Sequence, residues 1–162
     1  MAWTALSLSL GVPAGTAAPP FTLPGTGGGQ VTLSQVLAGG LPVLPLFFHP
    51  GCRPCADLAG DVPRWQAELA GTVRFALIGS GTVAENRDWA SRHELGDMAV
   101  QDWNEVAVLY RLTATPAAVL IDARGRDRRA ARRRHLRDPG PDRGSADRQA
   151  GSAGAPAHQR TS

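Results

Sequence analysis

An apolar run over residues 41–48 delivers the only two cysteines of the chain, Cys52 and Cys55, to the opening of a helix. Bounded by Pro50-Gly51, the run reads as a buried strand, and residues 51–58 can begin a helix. Both sulfurs then sit at a strand-to-helix turn, three positions apart. That geometry suits reversible dithiol chemistry.

Unpaired backbone N–H groups and the positive end of the helix dipole favour an anion in the first turn, and a thiolate is such an anion. Cys52 is therefore expected to ionise below the free-cysteine value of about 8.5 and to act as the attacking sulfur, with Arg53 adding positive charge beside it. Cys55, one turn further in, is expected to be shielded and to act as the resolving thiol. Pro54 stiffens the turn and, lacking an N–H, costs little in a first helical turn. Two other readings of the pair stand beside this one, a structural disulfide and half of a zinc site. Zinc needs four ligands, and the remaining soft candidates, His49, His93, His135 and His158, form no paired ligand motif. Neither a metal nor a cofactor is expected.

The rest of the chain alternates strand and helix. Residues 19–24 read as an extended lead-in, 25–30 as a glycine turn, and 31–37 as a short strand passing into a helical turn that Gly39-Gly40 stops. Residues 53–70 read as one helix with Leu58, Val62, Trp65 and Leu69 on its buried face, kinked near Ala59-Gly60 by Pro63. Residues 73–79 form an apolar strand, 84–95 an amphipathic helix with Trp89 inward, 98–100 a short strand and 104–112 another helix. A turn at 113–116 precedes a third strong strand over 117–122. This order predicts an α/β sandwich.

A chain of 162 residues, 43% hydrophobic, is one domain with enough apolar content for a core. Its charge is unevenly placed. Residues 1–123 carry six arginines against ten acidic residues, whereas residues 124–162 carry eleven arginines against four aspartates. The second part has only Leu136 among large apolar residues, so it is expected to be disordered. Its arginines over 128–137 fit a patch for polyanions, and the abrupt change in composition equally fits a GC-rich gene read out of frame. The expected organisation is a lead or the remnant of a signal peptide or anchor over 1–17, a domain over 18–123 and a tail over 124–162. The apolar stretch 2–12 is too short to span a bilayer and is interrupted by Thr4, Ser7 and Ser9, so no transmembrane segment is expected; the absence of lysine or arginine ahead of it argues against a signal peptide.

Four pieces, taken in order, resemble the thioredoxin superfamily, and most closely its redoxin branch of TlpA/ResA-type thiol-disulfide reductases and peroxiredoxin-like (AhpC/TSA-type) domains. They are residues 18–23 with Gly29 and 31–33; the strand with Cys52-Arg53-Pro54-Cys55; residues 110–116, ending Thr115-Pro116; and residues 119–122 with Gly125. The resemblance covers residues 15–126. It implies a thioredoxin-like central mixed β-sheet flanked by helices. It also implies a cis proline at Pro116 lying against the dithiol, with Thr115 presenting backbone groups that pair with an extended substrate strand.

The departures from the pattern carry expectations of their own. Leu46 stands where thioredoxins keep a buried carboxylate, which leaves Asp57, Glu85 and His49 as substitutes for proton transfer. His49, with Arg53 and Pro54, is also placed where it can tune the thiol. The arginine-rich segment occupies the positions of the final strand and closing helix, so those elements are expected to be missing. At roughly 25 cal/mol per Å² their loss removes many kcal/mol, which against stabilities of about 5–15 kcal/mol predicts a marginal or partner-dependent fold. Any helix in the tail is expected to pack poorly.

The function expected is thiol-disulfide exchange with protein dithiols or disulfides, recharged by an upstream redox partner. The alternatives are a peroxiredoxin-like peroxidase, for which Pro45 fits loosely and His49 replaces the expected threonine, and an inactive module with a polyanion-binding tail. No specific nucleic acid is expected as a partner, and an extracytoplasmic location is favoured over the cytoplasm.

Overall fold

The computed structural model describes residues 15–128. The elements run β1 (Thr22–Pro24), β2 (Gln30–Thr32), α1 (Leu33–Leu37), β3 (Val43–Phe48), α2 (Arg53–Ala59), α3 (Val62–Glu68), β4 (Arg74–Ser80), α4 (Val83–Arg92), β5 (Ala99–Gln101), α5 (Glu105–Leu109) and β6 (Ala117–Ala118). A mixed sheet of order β5-β4-β3-β6 forms the centre; β3, β4 and β5 are parallel and β6 is antiparallel to β3. Helices cover both faces. This is the thioredoxin-like α/β architecture expected from the sequence.

Side chains of β3 alternate between two cores, as a period-two strand requires. Val43 and Phe47 join Phe21, Leu33, Ile78, Tyr110, Leu112, Val119 and Ile121 on one face. Leu46 and Phe48 join Cys55, Leu58, Val62, Trp65, Trp89 and Met98 on the other. The hairpin β1-β2 docks at the β5 edge: Gly25 bridges Ala99, and the buried Thr26 accepts from Met98 N–H through its hydroxyl at 2.9 Å while donating its own N–H to the Met98 carbonyl at 2.8 Å.

Three expected elements differ in extent. The helix expected over 53–70 is two helices broken at Gly60-Asp61, because Pro63 lacks the N–H that would continue α2 and instead occupies the first turn of α3. The helix expected over 104–112 stops at Leu109, and Arg111 adopts the left-handed φ of 53° that carries the chain toward Thr113. The strand expected over 117–122 pairs continuously only at Ala117–Ala118 and again at Ile121, which bridges Val43. Pro45 causes the gap: its carbonyl accepts from Val119 N–H at 3.1 Å, but it has no N–H to complete the ladder.

Past Ile121 the chain turns. Asp122 caps the turn by accepting the N–H groups of Arg124 and Arg126 on Oδ1, each at 2.9 Å, and Gly125 takes a φ of 75°. The return arm then pairs on both sides. Arg128 N–H donates to the Leu120 carbonyl at 2.9 Å, Ala18 N–H to Gly125 at 2.8 Å and Gly15 N–H to Asp127 at 2.9 Å. The boundary expected at residue 123 thus falls inside a hairpin, and Asp127 is only 1% exposed. The expectations placed on 1–14 and on 129–162, including the disordered tail and its poorly packed helix, lie outside the described residues. No helix among the described residues is long and apolar enough to cross a membrane.

Candidate active site

The parallel strands end together, and the loops that leave them hold the dithiol. Phe48, fully buried, closes β3, and residues 49–52 form a tight turn in which Cys52 N–H donates to the His49 carbonyl at 2.9 Å. Cys52 is the N-cap of α2, with Arg53 and Pro54 in the first helical turn. Its Sγ accepts the N–H of Cys55 at 3.2 Å. Cys52 is half-buried, whereas Cys55 is fully buried among Leu46, Phe48, Leu58 and Trp89. The two are joined as a disulfide with a Cα–Cα distance of 5.2 Å, within the normal span of such bonds.

The second motif reaches the same place from the other end of the chain. β6 runs antiparallel to β3, so the residues just before it lie beside the turn that follows β3. The Thr115-Pro116 peptide is cis, and the Thr115 carbonyl oxygen lies 3.5 Å from Cys52 Sγ, across 63 positions of sequence. In the reduced protein a Cys52 thiol can donate to that carbonyl. Pro116 is buried and Thr115 half-buried, which leaves the Thr115 backbone at the rim of the sulfur.

The substitutes for the missing carboxylate are placed differently from one another. Leu46 packs beside Cys55 with 1% exposure, so the buried Cys55 sulfur has an apolar wall on that side. Asp57 is exposed on α2. Glu85 is committed to a capping box at the start of α4, where Oε2 accepts Thr82 N–H at 2.9 Å and the Thr82 hydroxyl at 2.8 Å. Those two bonds from Thr82, backbone first, hold its carboxyl below the ordinary range. His49 is exposed and accepts Gly51 N–H on Nδ1 at 3.0 Å. Arg53 and Pro54 are exposed beside the disulfide.

Sequence reasoning missed the polar group that organises the neighbouring loop. Gln101, fully buried at the end of β5, donates from Nε2 to Ser80 Oγ at 3.1 Å and accepts the N–H groups of Val106 and Ala107 at 3.0 and 3.1 Å. Ser80 in turn donates to Asn104. Gln101 therefore caps α5 in place of Asn104, which has a φ of 72° and no side-chain cap bond. A polar residue ending the apolar stretch 98–100 was the available signal.

The model of the AhpC/TSA family matches residues 14–128, a span that holds both motifs. The chain belongs to the AhpC/TSA family. Among curated relatives of this AhpC/TSA domain, the methylamine utilization protein MauD of Methylorubrum extorquens is 30% identical over 113 residues, covering 68% of this chain and 53% of MauD. The chain thus spans about half the length of the curated relatives it matches. Among solved structures, a thiol:disulfide interchange protein DsbE from Chlorobium tepidum superposes with a TM-score of 0.64 at 23% identity, covering 77% of this chain and 93% of the other. A secreted disulfide oxidoreductase of Mycobacterium tuberculosis superposes with a TM-score of 0.58 at 21% identity, covering 66% and 79%. The AhpC/TSA domain thus carries a redoxin fold of the thiol-disulfide oxidoreductase type with its Cys52-Cys55 pair.

Proposed function

We propose that the protein exchanges thiols and disulfides with protein substrates through Cys52 and Cys55. The observation that carries this reading is the pairing of a half-buried Cys52 sulfur, 3.5 Å from the Thr115 carbonyl, with a fully buried Cys55 behind it. In the reduced enzyme the Cys52 thiolate attacks one sulfur of a substrate disulfide, forming a mixed disulfide and releasing the first substrate sulfur as a thiolate that takes a proton. Cys55 then attacks Cys52, the second substrate thiol leaves, and two electrons have passed from the dithiol to the substrate. The Cys55 N–H stabilises the Cys52 thiolate before attack. Thr115 and Pro116 bind the substrate, whose extended segment pairs with the Thr115 backbone. An upstream dithiol or disulfide partner resets the pair. The similarity to a protein described as secreted supports an extracytoplasmic location.

Reduction of insulin disulfides by the purified protein is the test. Turnover is expected to vanish in Cys52→Ser, and Cys55→Ser is expected to accumulate a mixed disulfide with the substrate. Peroxide turnover that survives Cys55→Ser would overturn this reading in favour of a one-cysteine peroxidase.

A further inference from the structure

We propose that His49 positions Cys52, and does so through an acceptor nitrogen rather than through its charge. The inference builds on the exchange reading, in which Cys52 is the attacking sulfur. His49 takes the N–H groups of the two residues that lead into α2: its carbonyl accepts from Cys52 at 2.9 Å and its Nδ1 accepts from Gly51 at 3.0 Å. The second bond closes a ring from a side chain to the N–H two residues on, the histidine counterpart of an Asx turn.

Two consequences follow from that bond. An Nδ1 that accepts a backbone N–H carries no proton, so the neutral ring bears its hydrogen on Nε2 and has none to give from the nitrogen nearest the turn. The ring also lies close over Gly51: a Cβ there would come within 3.3 Å of Cε1 and 3.4 Å of Nδ1. Cys52 is thereby held from ahead by the closed turn and from behind by the Cys55 N–H on its sulfur at 3.2 Å. Without the tether ahead, the Cys52 peptide gains freedom, and the fraction of time its sulfur spends on the Cys55 N–H falls.

The acceptor role separates from a charge or proton-transfer role by the choice of side chain. Asparagine closes the same two-residue ring with its Oδ1, whereas glutamine is one bond too long and alanine has no acceptor. In a Cys55→Ser background, where Cys52 is the only thiol, iodoacetamide alkylation at a pH below the ionisation midpoint of that thiol is expected to slow about twofold to threefold in His49→Ala and His49→Gln, because a lost hydrogen bond of about 1 kcal/mol lowers the thiolate fraction and the greater reactivity of the more basic thiolate offsets about half of that. His49→Asn is expected to restore the rate. Hydrogen exchange at the Gly51 amide reads the bond itself, and should accelerate in the alanine and glutamine variants but not in the asparagine variant. Asparagine behaving like alanine, or four indistinguishable rates, would overturn the proposal, as would an unchanged Gly51 amide in His49→Ala. Alkylation needs no protein substrate, so a failure of insulin reduction alongside the expected alkylation order would sink the exchange reading and leave the role of His49 standing.

Discussion

Val119 donates its N–H to the carbonyl of Pro45 at 3.1 Å, and Pro45 has no N–H to give back. This one-sided bond sits where the ladder between β3 and β6 should close between its bonded positions at Phe47 and Val43. Pro45→Val supplies the missing donor. The gained hydrogen bond, about 1 kcal/mol, is offset by restored freedom of the unfolded chain of similar size, so global stability should change by less than about 1 kcal/mol. Amide protection at Val119 and Ile121 should nonetheless rise in hydrogen exchange; unchanged protection would contradict this account of the broken strand.

Gly79, on the central strand β4, leaves room for the Asn86 amide. A Cβ at residue 79 would overlap Asn86 Oδ1 and come within 3.0 Å of Met98 Cε. Asn86 is fully buried and donates to the Ser80 and Thr82 carbonyls at 3.2 and 3.0 Å, so it has little freedom to yield. Gly79→Ala should destabilise by about 1–3 kcal/mol in urea titrations. Adding Asn86→Ala should cost less than the sum of the two single changes. Strict additivity would show that the two positions do not press on each other.

Glu85 links stability to acid. Its folded carboxyl is held below the ordinary value of 4.5, first by the Thr82 N–H and then by the Thr82 hydroxyl. A depressed folded value means that the contribution is fully present above the ordinary value and is lost as pH falls through the lower, folded one. Glu85→Gln keeps an acceptor for Thr82 without the titration. Its urea midpoint should fall less steeply than the wild type's on the acid side of that range, and identical acid limbs would refute the linkage.

Gln101 is the support for α5. Gln101→Leu keeps the volume but leaves the Val106 and Ala107 N–H groups without their acceptor. A loss of about 2–4 kcal/mol is expected from two buried donors left unpaired, seen as a lower melting temperature. Gln101→Glu retains the acceptors and should recover part of the loss. A melting temperature of the leucine variant equal to wild type would remove Gln101 from this role.

The elements were legible where a local signal decided them. The run that ends at Phe48 is apolar on both faces because helices cover both, and Pro50-Gly51 marks its end; the same logic found β4 and β5. The cysteines were placed by their spacing, and Thr115 and Pro116 by their position just before a strand in a resembling pattern. What the sequence did not reveal was decided by partners far along the chain. β6 breaks because its neighbour on β3 is a proline 74 positions earlier, which no reading of residues 117–122 alone can detect. The helix at 105–109 ends early although Leu112 continues its apolar spacing, because Arg111 turns left-handed to bring Thr115 back to the sheet. Gln101 follows the short strand read over 98–100 and has no local partner in the sequence; only the fold places Val106, Ala107 and Ser80 around it.

The clasp of Gly15, Thr16 and Ala18 onto Gly125 and Asp127 brings the first and last described segments together beside the start of β3, at the pole opposite the dithiol. The domain is therefore a natural subject for circular permutation. A short glycine bridge joining the two segments, with new ends opened in an exposed connection such as the one between α3 and β4, would leave the redox pole untouched. It would also let a partner be fused at a site of choice without obstructing Cys52.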